Sequence, residues 1–233
     1  MSTPRRSLPA MLAALAMPRP VHADTTDPAR DPAGWQRLDV PGRAPVRFCL
    51  LSDGVVTIDA ERAVGFLLRP IAPGEVPSPG YRMVWRWCVM ATPPASDATA
   101  IGADDRPASV HLLFAGAGSG GGLGAVLRRG LRRGLLGSAF SGRALSYVWG
   151  GRAPAGTVMP NPHLAPDGIL LVRKGPDAPL GTWCDERVDP ASDYRAAFGD
   201  AAPPPTHLAL SADTDDLGGR AAVALLPPRF VAG

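Results

Sequence analysis

The stretch Tyr81–Met90, YRMVWRWCVM, indicates the fold class of this 233-residue chain. Aromatic and aliphatic residues of this kind favour strands, in which successive side chains point to opposite faces. Arg86 lies between two tryptophans and must point away from them. The face opposite Arg86 is apolar throughout and consists of Met83, Trp85, Trp87 and Val89. We therefore expect the tryptophans in a core and Arg86 on a surface.

Eight further apolar segments are short enough to be strands, and Gly, Pro and Asp residues separate them. They are residues 46–51, 54–60, 64–68, 110–114, 145–149, 169–173, 208–212 and 221–226. Short strands without alternating helices predict a mainly β fold, an antiparallel β-sandwich of jelly-roll-like form. One short helix is predicted at Asp189–Phe198, with Asp189 or Ser192 as its N-cap and Gly199 at its end.

The N-terminal segment has the pattern of a signal peptide. A basic start and a short apolar run, Leu8–Met17, precede a small-x-small cleavage pattern at Val21-His22-Ala23. The mature chain should therefore begin near Asp24, in the periplasm or as a secreted protein, after export by the general secretory or the twin-arginine route. The predicted organisation is a signal peptide at 1–23, a linker at 24–45 and a single domain at 46–233.

Charge and hydropathy argue against two classes of protein. Residues 1–23 hold three of the 24 basic residues and no acidic residue, so the mature chain has 21 basic and 21 acidic residues. A net charge of zero disfavours nucleic-acid binding. No apolar run reaches the roughly 18 residues that a membrane-spanning helix needs.

A glycine-rich run, Gly116–Gly124, leads into a basic amphipathic segment at Leu123–Leu136. Such a segment could contact an anionic membrane surface or phosphate groups. Gly130 and Gly134 weaken its helix, so we expect a solvated Gly/Arg-rich insertion instead. The arginines concerned are Arg128, Arg129, Arg132 and Arg133.

Three cysteines, Cys49, Cys88 and Cys184, would enter an oxidising compartment on export. One disulfide could form with any of three pairings and leave one thiol. Buried free thiols are the alternative, because each cysteine lies in an apolar or aromatic stretch.

The strand faces that oppose the predicted core carry polar residues, and we expect any binding surface there. Arg86 would serve as a multi-donor group on this mixed face. Trp85, Trp87 and Trp149 could instead stack on sugar rings, but their alternation assigns them to the core. The polar residues of the mixed face are Arg86, Ser109, His111, Ser146 and Ser211.

Acidic residues raise two further possibilities. Asp213–Asp216 could supply oxygen ligands to Ca²⁺, but the segment also makes an Asx-turn and lacks EF-hand spacing, so we expect no metal and no cofactor. Asp104 and Asp105 are interpreted as a solvated turn. A glycan hydrolase would need two facing carboxylates, and Glu186 with Asp105 or Asp213 are the candidates. Because no Gly-x-Ser-x-Gly or His-Glu-x-x-His motif occurs, we favour a role without catalytic residues.

Seven motifs follow one another along the chain: WRW at 85–87, ADD at 103–105, ALSYVW at 144–149, Asn161-Pro162, W-x-x-E-R at 183–187, DYRAAFG at 193–199 and ADTDDLG at 212–218. In this order they resemble the bacterial family called domain of unknown function 3047. The resemblance covers roughly residues 35–230 and implies an exported, mainly β domain without an established activity.

The chain departs from that family's pattern at several polar positions. Ser109 stands where the family has Arg, and Ser146 stands where it has Asn. Arg106 and His111 stand where it has Tyr. A site built from those groups would be altered in this chain.

We predict an exported envelope protein that binds a polar ligand without catalysis, such as a glycan or another envelope component. The alternatives are a glycan hydrolase and a structural envelope protein without a small ligand. The predicted ligand-binding residues are Arg86, Asp105, Ser109, His111, Ser146, Asn161, Glu186 and Asp213.

Overall fold

The computed structural model describes residues 34–115 and 142–233, in which the chain is mainly β. The predicted signal peptide and the predicted insertion at Leu123–Leu136, with its four arginines, lie outside these residues. The strands are β1 Gln36–Asp39, β2 Arg47–Leu50, β3 Val56–Glu61, β4 Val64–Pro70, β5 Tyr81–Ala91, β6 Arg106–Ala115, β7 Gly142–Trp149, β8 Val158–Pro160, β9 Gly168–Lys174, β10 Cys184–Val188, β11 Pro205–Asp213 and β12 Arg220–Ala232, and the helix is α1 Pro190–Phe198.

The strands form two sheets, as predicted for a β-sandwich. The seven-stranded sheet has the order β1-β4-β11-β6-β7-β9-β8, and the five-stranded sheet has the order β10-β5-β12-β3-β2. Neighbouring strands are antiparallel with one exception in the described residues, since β7 and β9 are parallel. Residues 150–167 bring the chain back across the sheet before β9 begins, and short β8 pairs with the free side of β9.

The core lies between the two sheets and confirms the prediction from the tryptophan stretch. Trp85 and Trp87 are 3% and 0% exposed, and their ring centroids lie 5.5 Å apart in an edge-to-face arrangement. Trp149 of the opposite sheet meets Trp87 at the same centroid distance, 5.5 Å. Such edge-to-face pairs add about 0.5–1.5 kcal/mol to the free energy gained by burial.

The predicted helix is also found. The side chain of Asp189 accepts a hydrogen bond from the backbone N–H of Ser192 (3.1 Å), and Gly199 ends the helix in the left-handed conformation with φ of 79°. Tyr194 anchors α1, because its ring packs 4.7 Å from that of Phe114 on β6. Within the described ranges, no helix has the length and apolarity to cross a membrane.

Three strands carry no alternating apolar pattern, and the sequence does not predict them. Strand β1 lies inside the range 24–45 that was assigned to a linker; it pairs with β4, and Trp35 before it is 3% exposed. Strand β8 has only three residues. Strand β10, CDERV, contains three charged residues and forms the edge of its sheet, where charged side chains are common.

The three cysteines are free thiols; Cys88 is buried, as the second alternative expected, whereas Cys49 and Cys184 are partly exposed. Cys49 lies opposite Thr57, which lies opposite Ala224, which in turn lies opposite Cys88. The first and last residues of this row are therefore three strand spacings apart, about 14 Å. That separation is about twice the largest Cα distance that a disulfide spans.

Candidate functional site

Two acidic motifs that are about 110 residues apart in sequence meet at one end of the seven-stranded sheet. Strands β6 and β11 are antiparallel neighbours, and their register places Asp213 opposite Arg106. The ADD motif just before β6 therefore lies beside the loop that follows β11. We call the resulting group the aspartate cluster; it consists of Asp104, Asp105, Arg106, Asp213, Asp215 and Asp216, together with Arg43 and His163, which contact it.

Arg106 is the central cation of the cluster. Its Nη2 lies 3.0 Å from Oδ2 of Asp104 and 3.8 Å from Oδ2 of Asp213. The side chain of Arg106 is 9% exposed and that of Asp104 is fully buried. His163 Nε2 donates a second hydrogen bond to the same oxygen of Asp104, at 3.0 Å. Because His163 is 36% exposed, its imidazole connects the buried pair to solvent.

Several buried polar atoms of this region have no hydrogen-bond partner in the described residues. They are Oδ1 of Asp104, Nη1 of Arg106, Oδ1 of Asp213 and Oγ of Ser109. A buried polar atom without a partner typically costs about 1–3 kcal/mol, and more when the group is charged. Each of these four atoms therefore requires a partner, such as a water molecule or a ligand group, that the described residues do not supply.

The loop after β11 is fixed to the start of β6 by Asp105. The two carboxylate oxygens of Asp105 accept hydrogen bonds from the backbone N–H groups of Asp216 (3.1 Å) and Leu217 (3.0 Å). Thr214, which is fully buried, also fixes this loop: its hydroxyl group hydrogen-bonds to the backbone N–H and carbonyl of Ala63, the residue before β4. Asp105 was predicted to bind ligand; the structure uses both of its oxygens to position the loop.

Asp104 and Asp213 have opposite pKa shifts. Burial and the hydrogen bond with Asp215 raise the pKa of Asp213 to about 9, against the charge of Arg106. Burial also acts to raise the pKa of Asp104, but the hydrogen bond from His163 and the charge of Arg106 together hold it below its usual value. At neutral pH the cluster thus holds a protonated carboxyl group and an ionised one on either side of a single guanidinium group.

Three carboxylates of the cluster approach the geometry of a cation site. One oxygen from each of Asp105, Asp215 and Asp216 lies within 4.8 Å of the others. Arg43 already supplies positive charge there, with Nη1 at 2.6 Å from Asp215 Oδ2 and Nη2 at 3.9 Å from Asp216 Oδ1. Arg43 therefore offsets part of the negative charge of this turn.

His111 lies further along the same sheet face, between two serines. Its Nδ1 is 2.8 Å from Ser146 Oγ, and its Nε2 is 2.8 Å from Ser211 Oγ. Burial, together with the charge of Arg106, lowers the pKa of His111 to about 3. His111 and Ser146 were predicted to lie on a binding surface. They are buried instead. The uncharged hydrogen-bond network Ser211–His111–Ser146 joins β11 to β7 through β6, beneath the cluster.

The expectation of a single mixed face is wrong for Arg86. Strand β5 belongs to the five-stranded sheet and β6 to the seven-stranded sheet, so Arg86 and His111 lie on opposite outer faces of the sandwich. Arg86 Nε lies 2.7 Å from Asp185 Oδ1, and the guanidinium stacks 5.4 Å from the Trp183 ring centroid. The prediction that Arg86 points away from the core was correct. The alternation of residues within β5 does not reveal the sheet to which β5 belongs.

Glu186 also lies away from the cluster, at the edge between the two sheets. Its carboxylate accepts hydrogen bonds from Trp87 Nε1 (3.2 Å) and Arg173 Nε (2.9 Å), and Lys174 Nζ lies at 3.1 Å. These partners engage both oxygens, and no described contact joins Glu186 to Asp105 or Asp213.

Asn161 acts through its neighbour. Its side-chain oxygen accepts a hydrogen bond from the backbone N–H of His163 (3.0 Å). The backbone N–H of Asn161 donates a hydrogen bond to the backbone oxygen of Gly168 (2.9 Å). The turn places His163 against Asp104.

Sequence reasoning missed His163 and Arg43 because neither lies in a motif. It missed Asp104 and Arg106 because only the pairing of β6 with β11 brings the two acidic motifs together.

Comparisons with known proteins concern the chain as a whole. The family described as "Protein of unknown function (DUF3047)" matches residues 33–225. No curated protein matches the chain. Among solved structures, the chain is similar to the xyloglucanase domain of NopAA, a type three effector from Sinorhizobium fredii in complex with cellobiose, with 9% identity, a TM-score of 0.45, and coverage of 88% of this chain and 96% of that one. It is also similar to an exo-beta-agarase, with 8% identity, a TM-score of 0.30, and coverage of 89% and 24%.

Proposed function

The chain belongs to the DUF3047 family, and we propose that its domain binds a polar ligand such as a glycan, without catalysis, at the aspartate cluster. The observation that carries this proposal is the set of four buried polar atoms without partners at Asp104, Arg106, Asp213 and Ser109. A ligand that supplies hydrogen bonds to them recovers free energy that the isolated domain lacks.

The chemistry of the four atoms suits hydroxyl groups. Arg106 Nη1 can only donate, and ionised Asp104 Oδ1 can only accept. Ser109 can do either, and so can a protonated Asp213. A hydroxyl group both donates and accepts, so a ligand with several hydroxyl groups satisfies this mixed set, which neither a simple anion nor a simple cation does.

Affinity gel electrophoresis tests the proposal. The parent protein should be retarded in native gels that contain soluble polysaccharides, for which galactan, mannan and hydroxyethyl cellulose serve as probes. Arg106→Gln removes the central donor and should reduce the retardation at least about tenfold. Ser109→Ala removes a hydroxyl group that has no internal partner, so it should weaken binding without loss of stability.

The matched control is Arg86→Gln, on the outer face of the other sheet, which should bind like the parent. If none of the polysaccharides retards the parent, the protein is not a binding module for such glycans, and the structural envelope role is favoured instead. If Arg86→Gln loses binding while Arg106→Gln keeps it, the ligand lies on the five-stranded sheet.

A glycan hydrolase at the same cluster is the second candidate function. The opposite pKa shifts of Asp213 and Asp104 favour it, since glycoside hydrolysis uses one protonated and one ionised carboxyl group. The release of new reducing ends from the same polysaccharides distinguishes the two functions. Binding without new reducing ends supports the binding module, and hydrolysis that Asp104→Asn and Asp213→Asn both abolish supports the enzyme.

We also propose that the chain is exported and acts in the periplasm or outside the cell. The basic start, the apolar run and the Val21-His22-Ala23 pattern support this. A glycan of the cell envelope is then a ligand that the protein meets.

A further inference from the structure

We propose that the aspartate cluster selects uncharged sugars with neighbouring hydroxyl groups and rejects glycans that carry carboxylates. This inference rests on the proposed function and names the ligand class of the same site. It follows from the charges that surround Arg106 and from the unpartnered Nη1 of Arg106 and Oδ1 of Asp104.

The charges of the cluster do not balance. Two guanidinium groups, those of Arg43 and Arg106, lie within 4 Å of Asp104, Asp213, Asp215 or Asp216. Asp105 is the fifth carboxyl group and contacts only backbone N–H groups among the described bonds. With Asp213 protonated, four acidic groups face two arginines, so the site has a negative field.

Burial strengthens this field. Asp104 is fully buried, and the side chain of Asp215 is 8% exposed. Interactions between charges in such a place are screened by water and salt much less than those on a surface. Arg106 and Asp104 are in direct contact, with Nη2 of the arginine 3.0 Å from Oδ2 of the aspartate. A ligand carboxylate that reaches Arg106 must therefore approach Asp104 as well. The gain at the arginine is therefore offset by repulsion at the aspartate.

An uncharged pair of neighbouring hydroxyl groups avoids this repulsion. One hydroxyl oxygen accepts from Arg106 Nη1, and the next hydroxyl group donates to Asp104 Oδ1. Both atoms are buried and have no partner in the described residues, and they belong to side chains that are at least nine-tenths buried. The salt-bridged pair therefore holds one unpartnered donor and one unpartnered acceptor, the two functions that neighbouring hydroxyl groups satisfy.

Matched pairs of polysaccharides that differ in carboxylates test the inference. The pairs are galactan with polygalacturonate, mannan with polymannuronate, and hydroxyethyl cellulose with carboxymethyl cellulose. In every pair that shows binding, we expect the uncharged member to bind at least about tenfold more tightly, because like charges at an interface are strongly unfavourable. The difference should shrink at high salt.

Two variants distinguish the effect of a direct hydrogen bond to the ligand from the effect of the negative field of the cluster. Asp104→Asn should weaken binding of the uncharged member, since the carboxylate that accepts the ligand's hydrogen bond becomes a neutral amide. Asp216→Asn removes one charge and keeps both the donor of Arg106 and the acceptor of Asp104, so it should raise binding of the acidic member relative to the uncharged member several-fold. Asp185→Asn on the opposite face is the control and should change neither. Thermal melts establish that each variant is folded.

The outcomes are distinguishable. Equal or tighter binding of the acidic member overturns the inference and leaves the proposed function standing. An Asp216→Asn variant that binds the acidic member, relative to the uncharged member, no better than the parent also overturns it. Absence of binding to all six polysaccharides contradicts the proposed function and the inference with it.

Discussion

Nη2 of Arg106 lies 3.0 Å from Oδ2 of Asp104, and both side chains are buried at the end of the seven-stranded sheet. Removal of one member of a buried ion pair leaves the other without compensation, which typically costs about 3–5 kcal/mol. We therefore expect Arg106→Gln to lower the free energy of unfolding by about 3 kcal/mol, as measured by urea denaturation. The double variant Arg106→Gln/Asp104→Asn should lose less than the sum of the two single variants. Additive losses would show that the two side chains do not interact.

His111 makes the protein sensitive to acid. Its pKa is lowered from 6.5 to about 3 in the folded protein, so between these values the unfolded chain binds more protons than the folded one. This contribution to stability is fully present above pH 6.5 and is lost as pH falls, by up to about 1.4 kcal/mol per pH unit. His111→Gln, which cannot titrate, should show a smaller loss of unfolding free energy between pH 6.5 and pH 4. Equal losses in parent and variant would mean that His111 is not responsible.

The tryptophan stretch gives a direct comparison of core and surface. Trp87→Ala removes a ring that is 0% exposed and should lower the free energy of unfolding by about 3–5 kcal/mol. Arg86→Ala, one residue away on the outer face and 46% exposed, should lower it by less than about 1 kcal/mol, because exposed ion pairs contribute little. Urea melts compare the two. The reverse order would mean that the tryptophans face solvent and are free to stack on sugars.

Processing of the chain is tested by mass. If residues 1–23 are a signal peptide, the exported protein begins at Asp24. Intact-mass spectrometry of protein from the periplasm or medium should give the mass of residues 24–233. Full-length protein that remains in the cytoplasm would argue against export and against an envelope ligand.

The fold was largely predictable because local patterns carry it. Strand β5 alternates cleanly, and α1 has both its capping residue, Asp189, and its terminal Gly199 in sequence. Strand β10 was missed because an edge strand tolerates charged residues. Its Glu186 is buried with partners from other strands, Trp87, Arg173 and Lys174, which the sequence of β10 does not reveal.

The site was less predictable because strand pairing decides it. Alternation shows that Arg86 and His111 each lie opposite core residues of their own strands. It cannot show that β5 and β6 are in different sheets. The two acidic motifs were visible as separate turns, and only the register of Asp213 with Arg106 combines them. His163 reaches Asp104 from a third segment, and no sequence pattern predicts that contact.

A two-dimensional ¹H–¹⁵N NMR titration with a polysaccharide fragment that binds tests the location of the ligand most directly. Binding at the aspartate cluster should shift the side-chain Nε–H of Arg106 and the backbone N–H groups of Asp216 and Leu217, which bond to Asp105. The indole N–H of Trp183, on the outer face of the five-stranded sheet, should not move. Shifts confined to Trp183 and Arg86, with the cluster unchanged, would contradict the proposed site.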